Sequence, residues 1–135
     1  MSDRTVTRSI ESDVAPGVIL SILMDPQMLP KWAPAFADMA EKDEKIGWRV
    51  TKDGRVFTLE IVVSRQSGTV DYLREIAPGK KGGAYVRVLP RPNGGSVVVM
   101  TLPVPQSTEI ERVNALLSQE LETLVRLGES NVGSI

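Results

Sequence analysis

Apolar residues follow two different periods along this chain. From residue 46 to residue 104 they mostly alternate with polar residues, which is typical of strands with one buried face. In 14–24 and 108–127 they recur every three or four residues, which predicts amphipathic helices. Segment 5–11 is β-branched and partly alternating, and it predicts a first strand. The pattern therefore predicts a strand, a helical region, a series of strands and a long closing helix.

Glycine- and proline-rich turns divide the middle of the chain into strands. Segment 36–41 permits a helix or an edge strand, and we favour the strand. The continuous apolar segment 96–104 predicts a central strand that is covered on both faces. Segment 78–83, Pro-Gly-Lys-Lys-Gly-Gly, predicts a loop between two strands. The remaining predicted strands are 46–52, 55–65, 69–76 and 84–89.

The helices carry recognisable start and stop signals. Two short helices are expected after the first strand, the second being interrupted by Pro30 and Pro34. In the closing helix, Thr108 and Glu111 have the spacing of a capping box, and Gly128 predicts the end. The tail 129–135 is then expected to fray.

Composition indicates one ordinary globular domain. The chain has 135 residues, of which 41% are hydrophobic and 24% charged, with a net charge of -1. We predict a single domain over 1–135 with its core in about 5–128. No basic cluster suggests nucleic acid as a partner, and no apolar segment is long enough for a membrane span. The N-terminus lacks an apolar signal region, which predicts a cytoplasmic location.

Two residue types are absent, and their absence limits the chemistry. The chain has no cysteine and no histidine. Disulfides, thiolate nucleophiles, Ser-His-Asp triads and the commonest transition-metal ligands are therefore excluded. We expect no metal site and no cofactor. Any acid-base chemistry would fall to Asp, Glu, Tyr, Lys, Arg or Ser.

The order of elements and one local motif resemble a known superfamily. The motif is Asp25-Pro26-x-x-x-Pro30-x-Trp32 after the first amphipathic helix, followed by the strand with Trp48 and the turn Gly68-Thr69-Val70. With the closing helix, these features resemble the START/Bet v 1-like (SRPBCC) superfamily of polyketide cyclase-like and lipid-transfer-like proteins. The resemblance implies an α+β helix-grip fold: six or seven antiparallel strands form a curved sheet around the C-terminal helix. It also implies a cavity between the two.

The resemblance and the strand faces together predict which side chains contact a ligand. Trp32 is either a gate of the cavity or a plug in the core. Tyr72 and Arg74 share a face with Val70 and Ile76, and they enter the cavity only if that face points inward. Otherwise Arg74 is exposed beside a half-buried Tyr72. The predicted ligand-binding residues are Trp32, Phe36, Trp48, Leu59, Tyr72, Arg74, Val86, Met100, Leu117 and Leu121.

The favoured function is binding of a small hydrophobic or amphipathic molecule by a monomer or homodimer. One alternative is a protein-interaction module, for which Val56 and Val62 on the back of the sheet would be the contact residues. The other is a cyclase- or hydratase-type enzyme that uses Tyr72 and Arg74. Many catalytic members of the superfamily use histidine, or a set of Asp, Arg and Trp, in the cavity. The absence of histidine here makes catalysis the less favoured alternative, and no catalytic residue is assigned.

Overall fold

The computed structural model describes the backbone of residues 4–45 and 47–133, with side chains up to residue 130. Seven strands form one antiparallel curved sheet in the order β1-β7-β6-β5-β4-β3-β2. The strands are β1 (Arg4–Ser12), β2 (Met39–Asp43), β3 (Gly47–Lys52), β4 (Arg55–Ser64), β5 (Thr69–Ala77), β6 (Lys80–Pro90) and β7 (Ser96–Val104). The helices are α1 (Pro16–Leu23), α2 (Leu29–Trp32) and α3 (Ile110–Gly133).

The long helix α3 packs on the concave side of the sheet. Its apolar stripe buries Leu117, Leu121 and Leu124 almost completely. The alternating strands supply the opposite wall of the core, for example Val86 and Val98. The predicted helix-grip fold is therefore confirmed. No helix within residues 4–45 and 47–133 is long and apolar enough to cross a membrane.

Two short helical segments follow β1, as predicted. Helix α1 begins at Pro16 and buries Ile19, Leu20, Ile22 and Leu23. A single 3-10 turn, Pro26–Met28, leads directly into α2. The Asp25 carboxylate accepts a hydrogen bond from the Gln27 amide at 3.0 Å, which caps this turn. The chain leaves α2 after Trp32, just before Pro34.

Two predicted loop and strand boundaries were wrong. The edge strand β2 begins at Met39 rather than at residue 36. Segment 78–83 is not a loop throughout, because β6 begins at Lys80 and only Pro78 and Gly79 form the turn. Gly79 has a φ of 73°, which glycine adopts without strain and which allows so short a connection. Gly82 and Gly83 lie inside β6, paired with β5.

The expectation for β7 was wrong on one face. The strand is hydrogen-bonded on both sides, to β1 and β6, and its inward residues Val98 and Met100 are buried. Val97 and Val99 are only half-buried, because within the described residues the helices pack on the concave side alone. In β7, therefore, a continuous apolar segment forms a strand of which only the inward face is covered by helices.

The bounds of α3 also differ from the prediction. The helix begins at Ile110 rather than at Thr108, and it continues through Gly128 to Gly133. Gly128 is buried, and a Cβ there would lie 2.9 Å from the Ile19 side chain of α1. This glycine therefore permits close helix packing instead of ending the helix. Residues 134 and 135 lie outside the described residues.

Candidate functional site: a cavity between the sheet and α3

An apolar cavity of about 440 Å³ lies between the sheet and α3 and is partly open to solvent. Strands β4 to β7 form one wall, and α3 with the segment that includes and follows α2 forms the other. The residues that line it are Trp32, Ala33, Ala35, Phe36, Leu59, Tyr72, Arg74, Ile76, Gly82, Gly83, Ala84, Met100, Leu102, Pro103, Pro105, Leu116, Leu117 and Glu120.

Strand alternation and register place the sheet residues of this wall. Tyr72 of β5 pairs with Ala84 of β6 and with Ile61 of β4, so all three side chains share the inner face. Leu59 lies two residues before Ile61 and therefore points the same way. The face of β5 that contains Tyr72 and Arg74 is thus the inward one.

The structure brings most of the predicted ligand-binding residues to this cavity. Trp48, Val86 and Leu121 do not line it. Val86 and Leu121 are fully buried in the packed core, and Trp48 is half-buried beside Leu59 in the β3–β4 pair. The predicted residues that line the cavity are Trp32, Phe36, Leu59, Tyr72, Arg74, Met100 and Leu117.

Trp32 is both part of the core and part of the cavity wall. Its side chain is buried, and its ring centroid lies 6.0 Å from that of Tyr72 at a tilted angle. Its Nε1 donor has no hydrogen-bond partner within the described part of the chain. A buried hydrogen-bond donor without an acceptor lowers the stability of the fold, so this end of α2 contains an unsatisfied donor at a cost in folding free energy.

The Tyr72 hydroxyl connects the cavity wall to α1. It donates a hydrogen bond of 2.5 Å to the carbonyl oxygen of Leu23, the last residue of α1. Burial raises the pKa of Tyr72 above its ordinary value of 10.0, and the negative charge of Glu120 raises it further. Tyr72 is therefore a neutral phenol whose proton is already engaged by the backbone.

Arg74 lies at the mouth of the cavity and is exposed. Its guanidinium carbon sits 4.3 Å from the centroid of the Phe57 ring. Considering residues 4–45 and 47–130, no carboxylate lies within salt-bridge distance of it. Glu60 pairs instead with Lys81 at 2.8 Å, and Glu75 accepts a hydrogen bond from the Gly79 amide. Arg74 is thus a cation available at the opening.

Glu120 is the residue that sequence reasoning missed. It is only 8% exposed and lines the cavity from α3. Burial raises its pKa from an ordinary 4.5 to about 7. A signal was present in the sequence: Glu120 lies three residues after Leu117 and four before Leu124, and so on their face of the helix.

The cavity therefore combines a large apolar wall with few polar groups. These are the carboxyl of Glu120 within, the engaged phenol of Tyr72, and the guanidinium of Arg74 at the mouth. Such a site suits an apolar molecule with one or two polar groups. In the described part of the chain, no cluster of acidic side chains has the arrangement of a metal site.

Comparisons with known proteins agree with this architecture. A family model described as "Polyketide cyclase / dehydrase and lipid transport" matches residues 3–129. Among curated proteins no match was found.

Several solved structures share the fold at low identity. An uncharacterised protein from Bacillus thuringiensis is 17% identical with a TM-score of 0.71, and the match covers 93% of this chain and 98% of that one. The Zhui aromatase/cyclase from Streptomyces sp. R1128 is 15% identical with a TM-score of 0.70, covering 96% and 95%. A START superfamily protein from Mycobacterium smegmatis is 17% identical with a TM-score of 0.60, covering 96% and 97%. At these identities the likeness shows the fold alone.

Proposed function

Because this chain belongs to the polyketide cyclase / dehydrase and lipid transport family, we propose that it binds a small hydrophobic or amphipathic molecule in the cavity between its sheet and α3. The observation that carries the proposal is the cavity itself, about 440 Å³ with an almost wholly apolar wall. Protein interiors are normally close-packed, so the apolar side chains that line a space of this size have surface for which the protein supplies no contacts. A ligand would supply those contacts and would bury its own apolar surface, at about 25 cal/mol per Å².

The polar groups support an orientation for an amphipathic ligand. Arg74 is exposed at the mouth, where a charged or polar end would stay in contact with water. The apolar part would then lie deeper, against Leu59, Met100 and Leu117. We further propose that the protein binds no nucleic acid, that it is located in the cytoplasm and that it is a monomer or a homodimer.

Binding is favoured over catalysis by the placement of two groups. The cyclase or hydratase alternative needs Tyr72 and Arg74 to act together on one substrate atom. The Tyr72 proton is donated to the Leu23 carbonyl, while Arg74 stacks on Phe57 at the mouth. The two groups therefore serve different parts of the cavity.

Ligand binding is also favoured over protein interaction through the outer face of the sheet. Val56 and Val62 are 59% and 48% exposed on β4, as that alternative requires. The outward residues between them are Thr58 and Glu60, both exposed, and Glu60 forms an ion pair with Lys81. The two valines thus do not form one continuous apolar patch.

A fluorescent probe tests the proposed function. Anilinonaphthalene sulfonate, whose fluorescence rises in apolar surroundings, is expected to bind the native protein saturably in a one-to-one complex. In Ala84→Phe, the new ring would occupy the cavity from β6, and the dissociation constant is expected to rise about tenfold, since lost space means lost burial of probe surface.

The matched control is Val62→Phe, which adds the same ring to the outer face. It is expected to bind the probe as the wild type does. Equal weakening in both variants, or no saturable binding to the wild type, would contradict the proposed function.

A further inference from the structure

We propose that Glu120 is the specificity-determining residue of this cavity and that it selects ligands which carry a hydroxyl group. The inference rests on the proposed function and goes beyond it, because it assigns a chemical class to the ligand. It is carried by where Glu120 lies, by what surrounds it, and by which ligand groups can pair with it.

Glu120 lies where a ligand in the cavity would meet it. Its carboxyl projects from α3 into the space enclosed by Leu117, Tyr72 and Met100, all of which are apolar or already hydrogen-bonded. It also borders a smaller recess of about 80 Å³ between α2 and α3. Glu120 is therefore part of the partition between the two spaces, and only 8% of its surface is exposed.

The protein offers this carboxyl no partner of its own. Within residues 4–45 and 47–130, no side chain or backbone group forms a hydrogen bond or ion pair with it. The charged side chains that line the two spaces are Arg74, at the mouth, and Lys31, in the small recess. Among the described residues, neither the guanidinium nitrogens of Arg74 nor the ammonium nitrogen of Lys31 lies within 4.0 Å of the Glu120 carboxylate. A buried carboxyl left without partners by its own fold is positioned to pair with a bound molecule.

The chemistry of the Glu120 carboxyl limits which chemical groups of a ligand can form a hydrogen bond with it. Burial raises the pKa of Glu120 to about 7, so both of its forms are populated near neutrality. The ionised form only accepts hydrogen bonds, whereas the protonated form also donates one. A hydroxyl group of an alcohol, phenol or enol can donate to the first form and accept from the second. A keto oxygen can only accept, and an ammonium can only donate.

An anionic group at this position would be excluded by the same reasoning. A ligand carboxylate would face the ionised Glu120 across a desolvated space, where like charges repel strongly. An amphipathic ligand with an acidic end would therefore place that end at Arg74 and its hydroxyl at Glu120. Glu120 and Arg74 together thus favour a hydroxylated ligand in one orientation.

A pair of isosteric ligands tests the assignment. We would measure displacement of anilinonaphthalene sulfonate by para-hydroxybiphenyl and by para-methylbiphenyl, which differ only in a hydroxyl against a methyl group. The wild type is expected to bind the hydroxyl compound about tenfold more tightly than the methyl compound, as for a hydrogen bond to a charged or desolvated group. This preference should persist on either side of neutrality. In Glu120→Leu the preference should reverse, because a wholly apolar wall favours the methyl group.

Two variants keep the test decisive. Glu122→Leu makes the same change on the exposed side of α3 and should keep the preference of the wild type. Glu120→Gln, whose amide can both donate and accept, should keep a preference for the hydroxyl compound. If both compounds bind and their ratio is the same in the wild type and in Glu120→Leu, the role of Glu120 is overturned while the proposed function stands. If neither compound nor the probe binds the wild type, the proposed function itself fails.

Discussion

At the scale of single residues, Glu120 is a buried carboxyl group on a cavity wall that is otherwise almost wholly apolar. It occupies a position on the apolar stripe of α3, between Leu117 and Leu124 in helical spacing. A carboxyl there is expensive to bury, and the cost is reflected in the raised pKa of Glu120, about 7. Such a residue contributes little to stability, so its place on the cavity wall is better explained by recognition of a ligand.

This placement predicts a pH-dependent stability difference between the wild type and Glu120→Gln. The folded protein holds the Glu120 proton until about pH 7, whereas the unfolded chain releases it near the ordinary value of 4.5. Folding is therefore favoured by this group below about pH 4.5, and that advantage is lost as the pH rises through 7. The stability of the variant relative to the wild type should therefore rise, by roughly 3 kcal/mol as an upper bound, as the pH increases from below 4.5 to above about 7.

Urea denaturation of both proteins over a pH series measures this difference. Arg74 and Lys31 are present in both proteins, so their contributions cancel. The charge of Glu120 also raises the pKa of Tyr72, so the pH series ends well below the ordinary pKa of that phenol, 10.0. Glu122→Gln, on the exposed side of the same helix, serves as the control and should show no such trend. A stability difference that stays constant with pH would show that Glu120 ionises freely in the folded protein.

At the scale of elements, the apolar period predicted the buried face of α3 correctly but did not predict where the helix begins and ends. The stripe residues Leu117, Leu121 and Leu124 are buried as expected. The expected end at Gly128 was wrong, because the local stop signal of glycine is overridden by packing against Ile19 of α1. Termination depends on neighbours that a single-sequence pattern does not contain.

The docking of α3 predicts the effect of Leu121→Asp. Leu121 is 1% exposed, and an aspartate there would place an unpaired carboxylate in the core. The cost is several kcal/mol, comparable with the whole stability of a domain of this size, about 5–15 kcal/mol. We expect the variant to lose its cooperative thermal transition in circular dichroism.

Gln119→Asp supplies the matched control for this experiment. It adds the same side chain and charge on the exposed face of the same helix, and it should melt within a few degrees of the wild type. A cooperative transition in Leu121→Asp would mean that α3 does not dock on the sheet as described.

At the scale of the whole molecule, the architecture could be predicted because several patterns agree. Two-residue alternation gave the strand faces, and the inner face of β5 followed once the register with β6 was known. What the patterns did not determine is which inward residues border a cavity and which fill the core. Val86 and Leu121 share the inward orientation of Leu59 and Leu117, yet they are packed away from the cavity. The difference depends on sheet curvature and on the position of α3, which involve contacts distant in sequence.

Ligand binding in the space between the sheet and α3 is the central claim of the proposed function. The most direct measurement is a set of intermolecular nuclear Overhauser effects between the aromatic protons of para-hydroxybiphenyl and the methyl groups of the protein. We predict contacts to Leu59, Met100 and Leu117, whose side chains line the cavity. Contacts to Val56 or Val62 on the outer face instead, or contacts to no methyl group at saturating ligand, would contradict it.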